Sequence, residues 1–143
     1  MRFYLSAASS EIELAEHWIH ELESHGHRCS YDWTRDVRAN QREGKTDRDL
    51  DNIGRMLVLQ RDFEGIAAAD LFWMLIPHAD SIGAWVEFGY ALRCYRELEP
   101  ISRPIIVSGP DDRGIFLSAA SIWVPSHQEA FTAIEREYAR ASS

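Results

Sequence analysis

Cysteine is scarce in this chain. Cys29 and Cys94 are the only two, and they form no C-x-x-C pair. One possible bridge makes no disulfide framework, so both are expected as buried thiols packing as small hydrophobes. Long apolar runs are missing too. The longest, residues 67–77, is interrupted by Asp70 and is far too short to span a bilayer. The chain opens Met1-Arg2-Phe3-Tyr4-Leu5, straight into a strand pattern without the apolar stretch of a signal peptide. These absences predict a cytoplasmic protein with no membrane partner. Positive charge is also short: 15 Lys and Arg against 23 Asp and Glu leave a formal net charge of -8. Such a chain has no electrostatic reason to track a phosphate backbone, which argues against polymeric nucleic acid. A small anion stays compatible, because a pocket can be locally positive. No G-x-S-x-G elbow, P-loop or G-x-G-x-x-G occurs. His17 and His20 lie three apart, but no acidic or cysteine partner has a ligand spacing, so no metal site is expected.

What is present is an ordinary globular composition, 45% hydrophobic and 27% charged, in 143 residues that read as one domain, 1–143. Residues 2–7 read as a strand. Ser10 with Glu13 fits a capping box for a helix whose apolar residues Ile12, Ala15, Trp18, Ile19 and Leu22 recur at helical spacing, and Gly26 would stop it. Residues 27–33 read as a second, more polar strand. Residues 34–61 are dense in charge and read as a solvated excursion, or a lid, with a helix in the later half. Residues 62–69 predict a short helix opened by Asp62. Residues 70–76 form a nearly continuous apolar strand of the kind buried on both faces of a parallel sheet. A helix over 82–97, a strand over 104–107, a turn at 109–112, a short strand over 122–124 and a closing helix over 126–141 complete the pattern. Alternating strands and helices predict an α/β fold: a flavodoxin-like or Rossmann-like three-layer sandwich on a mostly parallel five-stranded sheet. Ligands in such folds bind outside the carboxyl ends of the strands. That rule gathers residues 4–10, 31–34 and 77–87 into one crevice.

Within that crevice, Gly83 would let backbone come close to a ligand, and the helix it opens offers free N–H groups. Glu87 lies far enough toward that helix start to face the crevice. Read from spacing alone, it fits equally a surface carboxylate favoured by the helix dipole. Trp33, at the end of the second strand, is placed to stack on a flat ligand.

Tyr4, the segment Asp62-Phe63-Glu64-Gly65-Ile66 with Ala69-Asp70, and Ile76-Pro77 through Glu87-Phe88-Gly89-Tyr90-Ala91-Leu92 together resemble the nucleoside 2-deoxyribosyltransferase family. The similarity runs from Tyr4 to about residue 121 and is least clear over 34–61. The resemblance implies an enzyme in which Glu87 is the nucleophile at the sugar's anomeric carbon, Asp62 contacts the base and helps protonate it, and Tyr4 orients the nucleophile. A tyrosine hydroxyl and helix N–H groups near Glu87 are expected to hold its pKa low.

Six residues before the nucleophile, family transferases carry an acidic residue suited to a sugar 5′-hydroxyl. This chain has Ser81, as the branch that hydrolyses nucleoside 5′-monophosphates does. A hydroxyl can donate to a phosphate that a carboxylate would repel. Phe116-Leu117-Ser118-Ala119 resembles a later segment of that branch, which implies Ser118 as a phosphate contact, in some members from the neighbouring subunit. The branch's Gly-Ser-Ile-Arg loop is not matched: Ala7-Ala8-Ser9-Ser10 stands there, leaving Ser9 and Ser10 for the phosphate and Arg35, Arg38, Arg42 or Lys45 as substitute cations. Asp80, beside Ser81, would restore an acidic residue after a small loop shift. The expected function is therefore cleavage of the N-glycosidic bond of a nucleoside or its 5′-monophosphate, without cofactor, by a homodimer or higher homo-oligomer. The competing expectation is a non-catalytic nucleotide-binding or sensor domain of the same fold.

Overall fold

Every strand of the sheet runs parallel to its neighbours. The order is β2-β1-β3-β4-β5, with β1 at Arg2–Ser6, β2 at Arg28–Cys29, β3 at Leu71–Leu75, β4 at Ile105–Ser108 and β5 at Ile122–Val124. The computed structural model describes residues 1–78, 80–97, 103–110 and 118–138. The predicted turn at 109–112 and closing helix over 126–141 fall partly outside them. The predicted α/β architecture and five strands are present.

Among the described residues, five α-helices cover the sheet: α1 (Ile12–Ser24), α2 (Trp33–Arg42), α3 (Asn52–Ala68), α4 (Ile82–Leu92) and α5 (His127–Ala133). Alternation along β1 sorts them. Trp18 of α1 packs against Trp73 of β3 and Phe131 of α5, with ring centroids 5.5 and 5.8 Å apart, which puts α1 and α5 on one face. On the other face Tyr4 stacks on Phe72, and Phe63 of α3 stacks on Tyr90 of α4 at 4.1 Å. All five residues of β3 are buried, as its apolar run predicts.

Three local expectations are corrected. The second strand is only Arg28–Cys29, because the Asp32 side chain accepts from the Thr34 N–H and starts α2 at Trp33. The segment 34–61 is largely helical rather than a loose excursion: α2 fills its first part, and Asp51 caps α3 by accepting from the Gly54 N–H at 2.7 Å. Asp62 therefore lies deep inside α3 instead of opening a helix. Ser10 and Glu13 form no capping box either. Ser9–Glu11 make one 3-10 turn leading into α1, without a side-chain cap bond. Gly26 does end α1, at φ 87°.

Chain order reverses between β1, which leads outward to β2, and β3, which leads the other way to β4. This is the switch point where crevices form in open α/β sheets.

Candidate active site

A cavity of about 260 Å3 opens at this switch point. That is close to the low end of the roughly 300–1,000 Å3 usual for small-molecule sites. Its floor comes from Ala7, just beyond β1, and from α4, with the β1 side chains of Tyr4 and Ser6 beneath Glu87 rather than on the wall itself. Tyr4 and Ser6, two residues apart on β1, share the face toward α3 and α4, and both are fully buried. Glu87, the sixth residue of α4, lies over them. Asp62 approaches from α3. That helix comes so close that a Cβ on Gly65 would stand 2.6 Å from Tyr31 Cβ and 3.1 Å from the Tyr4 ring.

The electrostatics of this group are unusual. Burial pushes the Glu87 carboxyl up to about 8, and the Asp62 charge adds to the shift, while the Ser6 and Tyr4 hydroxyls act against it. The low pKa expected from the sequence is thus corrected: desolvation outweighs the hydroxyl donors. Tyr4 is raised well above the ordinary tyrosine range by burial, then by Glu87 and Asp62, so it stays a neutral O–H donor. Tyr4 Oη, Ser6 Oγ and Glu87 Oε2 are all buried, and none completes a well-aligned hydrogen bond among the described residues. Buried polar atoms are seldom left so, and a converging set in a cavity is a mark of function.

The cavity wall brings together Ser9, Trp33, Asp62, Ser81, Gly83 and Glu87. Trp33 donates its indole N–H to the Leu5 carbonyl at 2.8 Å, which fixes the ring as a wall. Ser81 occupies the N-cap position of α4 but makes no cap bond, leaving its hydroxyl to the cavity. A Cβ at Gly83 would meet nothing, so the space beside it is open to a ligand. Asp80 is exposed and is not part of the wall. Ser10 lines an adjoining hollow of about 190 Å3 with Ser9, Lys45 and Thr46. Ser118 is exposed and away from the cavity, and its neighbours Phe116 and Leu117 lie outside the described residues. Arg35 and Arg38, two of the candidate substitute cations, are paired with Asp32 and Glu16. Among the described residues no group of three or more His, Cys, Asp or Glu is arranged to hold a metal ion.

Sequence reasoning missed Asp36 and Asn40, and it placed Ser6 and Tyr31 in stretches lining the crevice without giving either a role. Ser6 had a legible signal: it is a polar residue two positions after Tyr4 on an otherwise apolar strand. Asp36 and Asn40 had none, because they reach the cavity only when β2 ends early and α2 begins at Trp33.

No protein-family model and no curated protein matches the sequence. Solved structures do match. A 2-deoxyribosyltransferase from the psychrotolerant bacterium Bacillus psychrosaccharolyticus superposes with a TM-score of 0.68 at 15% identity, covering 98% of this chain and 95% of that one. This chain has the fold of a 2-deoxyribosyltransferase. The Clostridium botulinum CMP N-glycosidase BcmB shares it too, with a TM-score of 0.55 at 17% identity over 94% of this chain and 99% of that one. Identity this low leaves the chemistry of the deoxyribosyltransferase-like fold in this chain to be argued from its own residues.

Proposed function

We propose that this protein cleaves the N-glycosidic bond of a nucleoside or nucleoside 5′-monophosphate through a covalent glycosyl–Glu87 intermediate. The observation that carries the reading is the buried carboxylate of Glu87, held over two inward hydroxyls with a second carboxylate, Asp62, beside it. Glycoside cleavage needs such a pair, one carboxylate for the anomeric carbon and one group to manage the leaving group's proton. The Glu87 oxygen bonds to C1′ as the C1′–N bond breaks. The bonding pair leaves with the base, which takes up the proton that Glu87 gives up on ionising, passed on through Asp62. Water or a second base then attacks C1′ and frees Glu87. The Tyr4 and Ser6 hydroxyls stabilise the ionised form of Glu87 that attacks.

The sugar's 5′ end points toward Ser9, Ser81 and Gly83. The carboxylates of Asp36 and Asp62 make the main cavity hostile to phosphate. A 5′-phosphate would instead occupy the adjoining hollow beside Ser9, Ser10 and Lys45, drawing Lys45 from its exposed partner Glu43, 3.3 Å away. The protein works on a small cytoplasmic solute, as a homodimer. Ile53 and Met56, each 70% exposed, and Leu57, Leu59, Ile82 and Val86 form an apolar face on α3 and α4. Val58 lines the cavity from the other side of α3, so the apolar face lies on the back of the helix that walls the site.

The test is incubation with a panel of ribo- and deoxynucleosides and their monophosphates, with and without an acceptor base. Free base from the wild type and none from Glu87→Gln supports the reading. One observation favours a second reading, a non-catalytic binding domain: burial raises the Glu87 carboxyl to about 8, which favours its protonated form near neutral pH. Binding without release of base at pH 9 would favour that alternative.

A further inference from the structure

Two loops carry the serine hydroxyls of the cavity wall, and one side-chain contact joins those loops. β1 and β3 are neighbouring parallel strands, so the segments that follow them leave the sheet side by side. The first, residues 7–11, brings Ser9 to the cavity, and the second, residues 76–81, brings Ser81. Glu11 reaches across from the first to the second. Its Oε1 lies 2.5 Å from His78 Nδ1, and its Oε2 accepts the His78 backbone N–H at 3.3 Å. A carboxylate only accepts, so Nδ1 carries the hydrogen of the shorter contact.

The contact is placed to act on both hydroxyls. The Glu11 N–H donates to the Ala8 carbonyl at 2.9 Å, which closes the turn that holds Ser9. On the other side, among the described residues, no further hydrogen bond ties Pro77, His78, Asp80 or Ser81 to the chain outside α4. The Glu11 side chain is 19% exposed and that of His78 61%, so the carboxylate is seated against the protein and the histidine is the arm laid over it. His127, which also feels Glu11, is engaged elsewhere. Its Nδ1 lies 2.7 Å from Ser108 Oγ, which accepts the Trp73 indole N–H at 2.8 Å, and burial lowers its pKa. His127 thus stays a neutral ring bound to the sheet, and His78 bridges the loops. A pair this exposed adds little to stability. What it sets is distance, because a ligand group that meets Ser9 and Ser81 together depends on the gap between them.

We infer that Glu11 and His78 form a latch that fixes the separation of Ser9 and Ser81, which makes both of them positioning residues for the end of the ligand seated between those hydroxyls. The inference takes from the proposed function only that the ligand is a nucleoside or its 5′-monophosphate. Wild type, Glu11→Ala, His78→Ala and His78→Asn are compared as whole chains, by hydrogen exchange without ligand and by calorimetric titration with deoxycytidine, deoxyadenosine and their 5′-monophosphates. In Glu11→Ala the His78 amide and the first amides of α4 should exchange on the order of tenfold faster. Both alanine variants should bind on the order of tenfold more weakly, with thermal stability held. His78→Asn, whose amide nitrogen stands where Nδ1 stood, should recover affinity toward the wild type. Where base is released, the loss should appear in KM and leave kcat nearly unchanged. Unchanged exchange in Glu11→Ala, equal affinities across all the chains, or no measurable binding by the wild type would overturn the inference. Base release with affinities untouched by the variants would leave the N-glycosidase reading standing without the latch. Weakened binding by the variants of a chain that releases no base would keep the latch and sink that reading instead.

Discussion

The Tyr4 hydroxyl sits buried beneath the Glu87 carboxylate, each raising or lowering the other's pKa, although two strands and three α-helices separate the two residues in the chain. Glu87 raises Tyr4, and the Tyr4 hydroxyl lowers Glu87. This pair, rather than any metal or thiol among the described residues, dominates the electrostatics of the cavity floor.

The first consequence concerns pH. kcat/KM reports the free enzyme, so it should climb about tenfold per pH unit below pH 8 and level off above it as Glu87 ionises. Stability should run the other way. The folded carboxyl holds its proton up to about 8, against 4.5 for the ordinary group. Between those values the folded state binds more protons than the unfolded one. The stabilising contribution is therefore complete below about pH 4.5 and is lost as pH rises to about 8. Glu87→Gln should remove this slope and stabilise the protein by at most a few kcal/mol above pH 8, as read by urea titration at pH 5 and pH 9. A rate profile flat from pH 6 to pH 9 would count against Glu87 as the reacting group.

Tyr4→Phe separates orientation from packing. The ring stacked on Phe72 is retained, and a buried hydroxyl without an aligned partner is removed. Thermal stability should hold or rise slightly. The rate should fall on the order of tenfold to a hundredfold, and the kinetic pKa of Glu87 should move upward, because a donor that lowered it is gone. An unchanged pH profile would show that Tyr4 is only a packing residue.

Gly65→Ala addresses the seam between α3 and β1. The added methyl would stand 2.6 Å from Tyr31 Cβ, an atom fixed to the backbone, so α3 must shift. A loss of about 1–3 kcal/mol is expected in denaturant titrations, with activity reduced because Asp62 moves with the helix. Gly83→Ala is the counterpart: its methyl meets nothing in the protein. Stability should be unchanged and ligand affinity weakened, and unchanged affinity would place the ligand elsewhere.

The apolar face on α3 and α4 predicts self-association. Light scattering should give twice the chain mass, and Ile53→Lys with Met56→Lys should return a monomer with reduced activity, since Val58 lines the cavity from the same helix. A wild-type monomer with full activity would remove the dimer from the picture.

Much of the fold was legible because hydrophobic patterning is local. The apolar run at Leu71–Leu75, the spacing of Ile12, Ala15, Trp18, Ile19 and Leu22, and the small φ-permissive stop at Gly26 determine their elements almost unaided. The parallel sheet follows from the order of those elements, and so does a crevice holding Ser9, Ser81, Gly83 and Glu87. The boundaries at Asp32 and Asp51 were not legible, because a charged stretch reads alike as loop and as solvated helix until the capping bonds form. Only the tertiary structure could decide the protonation of Glu87. Residue types suggested donors and a low pKa, but desolvation depends on how completely β1, α3 and α4 close over one carboxylate, and no stretch of sequence records that. The same holds for Asp36 and Tyr31, which are joined to Arg61 on the cavity wall only once α2 has packed beside α3.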